Sequence, residues 1–383
     1  MVSLAIILRV EHQTGSYARA GAVSACYVLG TAVGMPLLGR AADRLGRRPV
    51  LVGAAAVNAA GLCALATVPV AMQVVTYLVA VVAGASLPPV APVVRSLWRE
   101  IAPPEERSSL YAIDATLQEV TFMTGPALVA LISAVASPAV ALASSGLIGL
   151  GGTLALVIHP ALGSRPPDGS PAEPRGQAKR ARSSSLALLA GTMLLLLAAI
   201  SVVEVATVAF AGRHGAPRQA GLLLTVWSTG SLAGGLLFGS AAARRAGRVL
   251  ARLLLAAAFG FAVLAAAPTV AVLYVLLFLA GTSISPGFSC IYDIVGRTSP
   301  PQASVESFSW VSSGIQIGAS MGTALGGVVV DGAGTRLAFV IAGGIGLLTA
   351  MVPLLGRQVI SRAEQRSEAA AVPTTNESLA GTL

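Results

Sequence analysis

Apolar runs of 18 to 29 residues, each ended by a cluster of polar or charged positions, recur along almost the whole chain. Eleven of them lie near 18–39, 49–67, 70–97, 108–135, 138–158, 186–211, 219–242, 249–267, 270–296, 302–330 and 336–355. A hydrocarbon core of ~30 Å takes about 20 helical residues to cross. In lipid the backbone must also satisfy its own hydrogen bonds within the segment. Each run is therefore predicted as a spanning helix; a barrel would need short alternating strands instead. A shorter apolar stretch, Met1 to Leu8, reads as the remnant of one more helix. Numbering that stub as helix one makes the eleven full spans helices two to twelve.

Composition supports the pattern. Of 383 residues, 55% are hydrophobic and 11% charged, against about 25% charged in a soluble domain. The net charge of +9 would suit a nucleic-acid surface, but its placement does not. Loops 2–3, 4–5, 6–7, 8–9 and 10–11 and the tail hold 4, 3, 5, 4, 1 and 3 basic residues; the opposite side holds Arg9, Arg19, Arg213, Arg218 and Arg336. Such a bias orients a membrane protein with its basic loops inside, so both ends and the 159–185 connector are expected in the cytoplasm. That connector, rich in Pro, Gly, Ser and Arg, reads as flexible, with its basic cluster against anionic headgroups. Residues 356–383 read as a polar cytoplasmic tail.

Several chemistries are given little support. Cys26, Cys63 and Cys290 fall inside apolar runs and read as small packing groups. His12, His159 and His214 stand alone near segment ends, without metal-ligand spacing. The single lysine, Lys179, follows no phosphate-cradling Gly-rich loop. No cofactor, metal or enzymatic activity is therefore expected. The partners are the lipid bilayer, a small-molecule solute and protons, not nucleic acid, with a monomer as the expected unit.

The chain also repeats. At a shift of 200 residues, Gly30, Gly34 and Gly39 meet Gly230, Gly234 and Gly239, and Tyr27 meets Trp227. Beyond loop 3–4 the shift becomes 197: Gly84 meets Gly281, Pro103-Pro104 meets Pro300-Pro301, and Gly125 meets Gly322. Corresponding helices run in the same direction, so residues 1–158 and 186–355 are predicted as two six-helix bundles related by an axis along the membrane normal. Parallel repeats of this kind occur in alternating-access transporters, with substrate at the midplane between halves. The glycines have a plainer reading as small-xxx-small faces for close helix approach. The repeat also places the start of helix one about 14 residues before Met1, so upstream coding sequence is expected to supply it.

Loop 2–3 reads Gly39-Arg40-Ala41-Ala42-Asp43-Arg44-Leu45-Gly46-Arg47-Arg48. It resembles the signature loop of the major facilitator superfamily, with Ala41 where Leu is common. The second-half copy, Gly239 to Arg248, has Ala243 in place of the acid. The resemblance implies an all-α integral membrane protein with the two-bundle fold of that superfamily. It also implies a cytoplasmic gate comprising Gly39, Asp43, Arg44, Gly46, Arg47 and Arg48. In the family the acid faces the start of helix eleven, where a carboxylate is attracted to the helix N-terminus. Here that helix is expected to open at Ser299-Pro300-Pro301-Gln302, with Ser299 as cap and Pro at the first position. Arg95 or Arg99 would complete the charge cluster; topology alone is the plainer use of these arginines.

Gly125-Pro126 on helix five resembles a reduced form of the Gly-Pro motif of family antiporters, or marks an ordinary kink. The fourth-helix arginine motif of drug–proton antiporters is absent. The chain looks most like uncharacterised bacterial members similar to sugar-efflux permeases, which implies a bacterial inner membrane and proton-coupled efflux. Uptake by a symporter or uniporter, or a transport-inactive sensor or scaffold, would share most of these features.

Candidate cavity residues follow from polar stripes. Ser309, Ser312, Ser313, Gln316, Ser320 and Thr323 share one face of helix eleven, and Tyr27 and Trp227 form a repeat-related aromatic pair. Three acids within spans call for a reason, since burying one costs about 2.5–3.5 kcal/mol on insertion scales. Asp114 lies near the cytoplasmic boundary and is expected to serve the gate. Glu204 shares a face with Ser201 and Thr207 and is expected in the site, or else paired with Arg9 or Arg213. Glu119 lies about 18 Å into helix five from Arg107 and aligns with Gln316, so it is the candidate proton carrier. A protonated, hydrogen-bonded structural glutamate is the alternative.

Overall fold

The computed structural model describes residues 2–69, 72–163, 177–239, 241 and 246–356. Among them the chain is helical, and eleven helices are long and apolar enough to cross a membrane. Most of the 159–185 connector, the counterpart loop around Ala243 and the tail after Gly356 lie outside the described residues.

The spans sit where the apolar runs place them, with three differences. Helix one runs Val2–Thr14, past the stub's apolar limit at Leu8. Arg9 inside it is buried because its Nε and Nη2 both donate to the Ala66 carbonyl, at 3.0 and 2.8 Å. Helix seven runs Gln177–Arg213, starting nine residues before the apolar boundary at 186 and shortening the connector. Helices four and ten are each broken. Helix four consists of Gln73–Ala85 and Val90–Ile101, interrupted at Pro88-Pro89, where two proline nitrogens can donate no hydrogen bond. Helix ten consists of Val270–Gly281 and Ile284–Thr298. Helix five, by contrast, is continuous over Pro104–Val135 through Pro126, so that proline does not end it.

The remaining spans are helix two, Tyr17–Leu45; helix three, Arg47–Thr67; helix six, Pro138–Ile158; and helix eight, Ala220–Gly234, which ends in a π-turn, Gly235–Gly239. Helix nine is Ala246–Val263, helix eleven Ser304–Ala333 and helix twelve Thr335–Leu355. Helices one to six pack chiefly on one another, as do helices seven to twelve. The halves meet where helix two crosses helix eleven, where helix four touches helices ten and eleven, and where helix five meets helices eight and ten.

Close approach explains the repeated glycines. A Cβ on Gly30 would strike the carbonyl oxygen of Val81, and one on Gly230 that of Phe278. Gly34 and Gly234 press in the same way on Ala85 and Thr282. In return, Gly84 and Gly281 lie against the carbonyls of Tyr27 and Trp227. Each pair joins positions related by 200 on one helix and 197 on the other, so the contact between helices two and four recurs between helices eight and ten. Small side chains permit this backbone-to-backbone approach.

Candidate functional site: an inter-half gate and a carboxylate cavity

The inter-half hydrogen bonds and ion pairs gather at the arginine-rich end. Asp43, at the end of helix two, accepts from the Val305 and Glu306 backbone N–H groups, at 3.2 and 2.9 Å. These are orphan donors of the first turn of helix eleven. The helix opens at Ser304, not at Ser299, and Ala303 in the capping position offers no side-chain bond. Asp43 is thus the cap, supplied from the other half. Ser299 instead ends helix ten in extended conformation, with its carbonyl accepting from Arg99. Gly39 lies one helical turn before Asp43, against the Ser309 side chain and the Glu306 backbone, where no side chain would fit.

Ion pairs surround this cap. Arg40 donates to both oxygens of Glu306, with 2.7 Å at the closest approach. Buried Arg47 pairs with Glu100, while Arg44 and Arg48 are exposed, Arg48 reaching the His159 carbonyl at 3.4 Å. Gly46 takes φ +99°, the left-handed region that glycine tolerates, and turns the chain from helix two into helix three.

A second, deeper group centres on Arg95, which is only 3% exposed. Its Nε donates to Asp114 at 2.6 Å, its Nη2 to Gln118 Oε1, the side-chain amide oxygen, at 2.5 Å, and its guanidinium stacks 3.8 Å from the centre of the Tyr292 ring. Tyr292 Oη also donates to Gln118, at 2.8 Å. Arg95 therefore serves Asp114 across helices four and five, rather than completing the Asp43 cluster.

Two acids inside predicted spans were not among the candidates, Asp293 and Glu306. Asp293 is 1% exposed; its Oδ1 accepts from Ser108 Oγ across the halves at 3.0 Å, and its Oδ2 pairs with Arg297 at 2.7 Å. The four-residue spacing of Asp293 and Arg297 on one helix was the available signal.

Midway along the bundle the character changes. Glu119 on helix five is 9% exposed and lies beside the Ser231 side chain of helix eight, within electrostatic range of Glu204 on helix seven. Glu204 on helix seven is exposed, while Ser201 and Thr207 on the same helix are buried. Neither alternative partner reaches it: Arg213 donates to the Val330 carbonyl at 2.8 Å, and Arg9 is held by Ala66. Thr207 Oγ1 is buried and makes no hydrogen bond.

The helix-eleven stripe does not line one cavity. Ser309 and Ser313 are buried toward the closed end, Ser312 and Gln316 are half-buried, and Ser320 and Thr323 are exposed. Tyr27 and Trp227 also depart from expectation. Each is buried in its own half, Trp227 edge-on to Phe261 at 6.2 Å, and the backbone carbonyl of each lies against Gly84 or Gly281.

The family model described as Major Facilitator Superfamily matches residues 1–213 and again residues 187–379. The chain belongs to the major facilitator superfamily. Solved structures of superfamily transporters share its fold. The human organic anion transporter MFSD10 (TETRAN) superposes with a TM-score of 0.67 at 19% identity, covering 88% of this chain and 83% of that one. The E. coli fucose:proton symporter FucP gives 0.65 at 15%, covering 92% and 95%. The proton:xylose symporter XylE gives 0.61 at 15%, covering 91% and 92%. No curated protein matches the sequence. The protein is thus a multi-pass membrane transporter of this superfamily.

Proposed function

We propose that this transporter exports a small solute in exchange for protons, by alternating access between its two halves. The carrying observation is Glu119, a carboxyl buried between the halves with no basic group bearing on it. Such a group is costly as an anion and so favours taking up a proton. The distribution of basic residues supports a cytoplasmic place for the arginine-rich end, and the inter-half hydrogen bonds and ion pairs close that end. Asp43, Gly39, Arg40, Glu306 and the Arg95 cluster form the gate that must part for the other state.

The named neighbours FucP and XylE are proton symporters, which supports coupling to protons and makes uptake the second reading. Both readings use the same acid. The test is Glu119→Gln in proteoliposomes, with any solute that shows counterflow. Gradient-driven accumulation should vanish while exchange without a gradient survives; accumulation retained in the variant overturns the assignment. The direction is read from which orientation of the pH gradient drives movement.

A further inference from the structure

We infer that Asp293 on helix ten is a second latch of the gate, given by the second half to the start of helix five, a reading that rests on the alternating-access function proposed above. The starting point is an acid that the repeat lacks. Asp43 caps helix eleven at the Val305 and Glu306 N–H groups, and Val305 corresponds to Ser108 by the repeat interval of 197. The counterpart of Asp43 itself, however, is Ala243. A carboxylate reaches Ser108 all the same, from a different helix: Asp293 Oδ1 accepts from Ser108 Oγ at 3.0 Å. Each half thus gives one carboxylate to the first turns of a helix in the other. The first half gives it from helix two and the second from helix ten.

The local chemistry favours a contact between halves over a bond within one helix. A helical serine can bond back to a carbonyl of its own helix, as Ser96, Ser289 and Ser307 do; Ser108 donates across the halves instead. The mirror pair, Ser96 and Val305, makes no such bond, since Ser96 turns to the Val93 carbonyl and Val305 has no hydroxyl. Asp293 finds its counter-charge within helix ten, in Arg297 at 2.7 Å. That ion pair survives separation of the halves, whereas the Ser108 bond does not. Ser108 and Asp293 are both buried, and Tyr111, one turn beyond Ser108, lies against Gly296, where a Cβ would strike the phenol oxygen. The carboxylate therefore meets bulk water only when helices five and ten part. A hydrogen bond to a charged group that one state makes and the other lacks favours the closed state roughly tenfold.

The test measures the distance across the gate in the purified full-length protein by pulsed electron spin resonance. Spin labels go on Glu105→Cys and Gln302→Cys, with Cys26, Cys63 and Cys290 replaced by alanine. Both labelled positions are exposed, and they are repeat counterparts on opposite halves. Ser108→Ala should shift the ratio of separated to closed distances about tenfold toward separation. Asp293→Asn breaks the ion pair but keeps an acceptor for Ser108, so its ratio should stay near that of the parent. An unchanged ratio in Ser108→Ala overturns the proposal. So does a shift in Asp293→Asn as large as that in Ser108→Ala, which would make the pair with Arg297 the working contact. A double Asp43→Ala, Ser108→Ala variant no more open than Asp43→Ala alone overturns it as well. No solute is added, so a failed latch leaves the transport reading standing, and accumulation retained in Glu119→Gln leaves the latch standing.

Discussion

The two halves of this transporter share their joints and differ in their chemistry. Helices two and four meet as helices eight and ten do, glycine against carbonyl at matched positions. On that common frame, however, Asp43 corresponds to Ala243, Asp114 to Val311, Glu119 to Gln316 and Arg95 to Tyr292. Two of the inter-half contacts even join a residue to its own counterpart. Arg95 stacks on Tyr292, and Tyr111 lies 5.9 Å from Phe308, each pair separated by the repeat interval of 197. Contacts of that kind occur only near the axis relating the halves. The gate is therefore built on the axis, and divergence of a matched pair there converts symmetric contact into a complementary one. Packing constrains both copies alike, since a carbonyl rejects a Cβ in either half, whereas a charge is needed only once per contact.

The largest effect is expected from Arg95→Ala, which strands Asp114 without its ion-pair partner and leaves Gln118 to Tyr292 alone. Removing one member of a buried pair costs about 3–5 kcal/mol, while the counterpart change Tyr292→Phe loses one hydrogen bond, about 0.5–1.5 kcal/mol. Thermal unfolding of the two variants measures the asymmetry, and equal losses would break it. Next come Gly30→Val and Gly230→Val. Each forces a side chain into a backbone contact, and overpacking costs roughly 1–3 kcal/mol. The two losses should agree closely; a large loss in one half only would show that the joints are not equivalent. A smaller change than the glycine substitutions give is expected from Asp43→Ala, since loss of a cap costs about 0.5–2 kcal/mol. Its clearer readout is gate opening: a cysteine placed by Ser309→Cys should label faster from the arginine-rich end when Asp43 is absent. Unchanged labelling would assign Asp43 to helix stability alone.

The spans, the repeat and the family were legible because each is carried by local composition or by fixed intervals along the chain. Glycine spacing marked the joints, and the loop from Gly39 to Arg48 marked the gate. The capping partner was misread at Ser299 because a proline after a serine is also how a helix starts, and the sequence cannot show that a carboxylate 262 residues away takes the first-turn donors. The break in helix four was signalled by Pro88-Pro89 but masked by an unbroken apolar run. Asp293 was passed over for the same reason, one acid in a stretch that otherwise reads as lipid-compatible.

By itself, the sequence determined where the chain crosses the bilayer, because a segment in hydrocarbon must be apolar and long enough whatever its neighbours are. It also determined that the chain is doubled, because matched glycines are demanded wherever two helices touch backbone to backbone. Only the tertiary structure decided which polar groups meet. Asp43 with helix eleven, Arg95 with Asp114 and Tyr292, and Ser108 with Asp293 depend on helix rotation and on which end of the bundle is closed. Apolar periodicity in these spans is weak, since lipid and protein interior accept the same side chains, so the sequence leaves rotation open and packing between the halves fixes it.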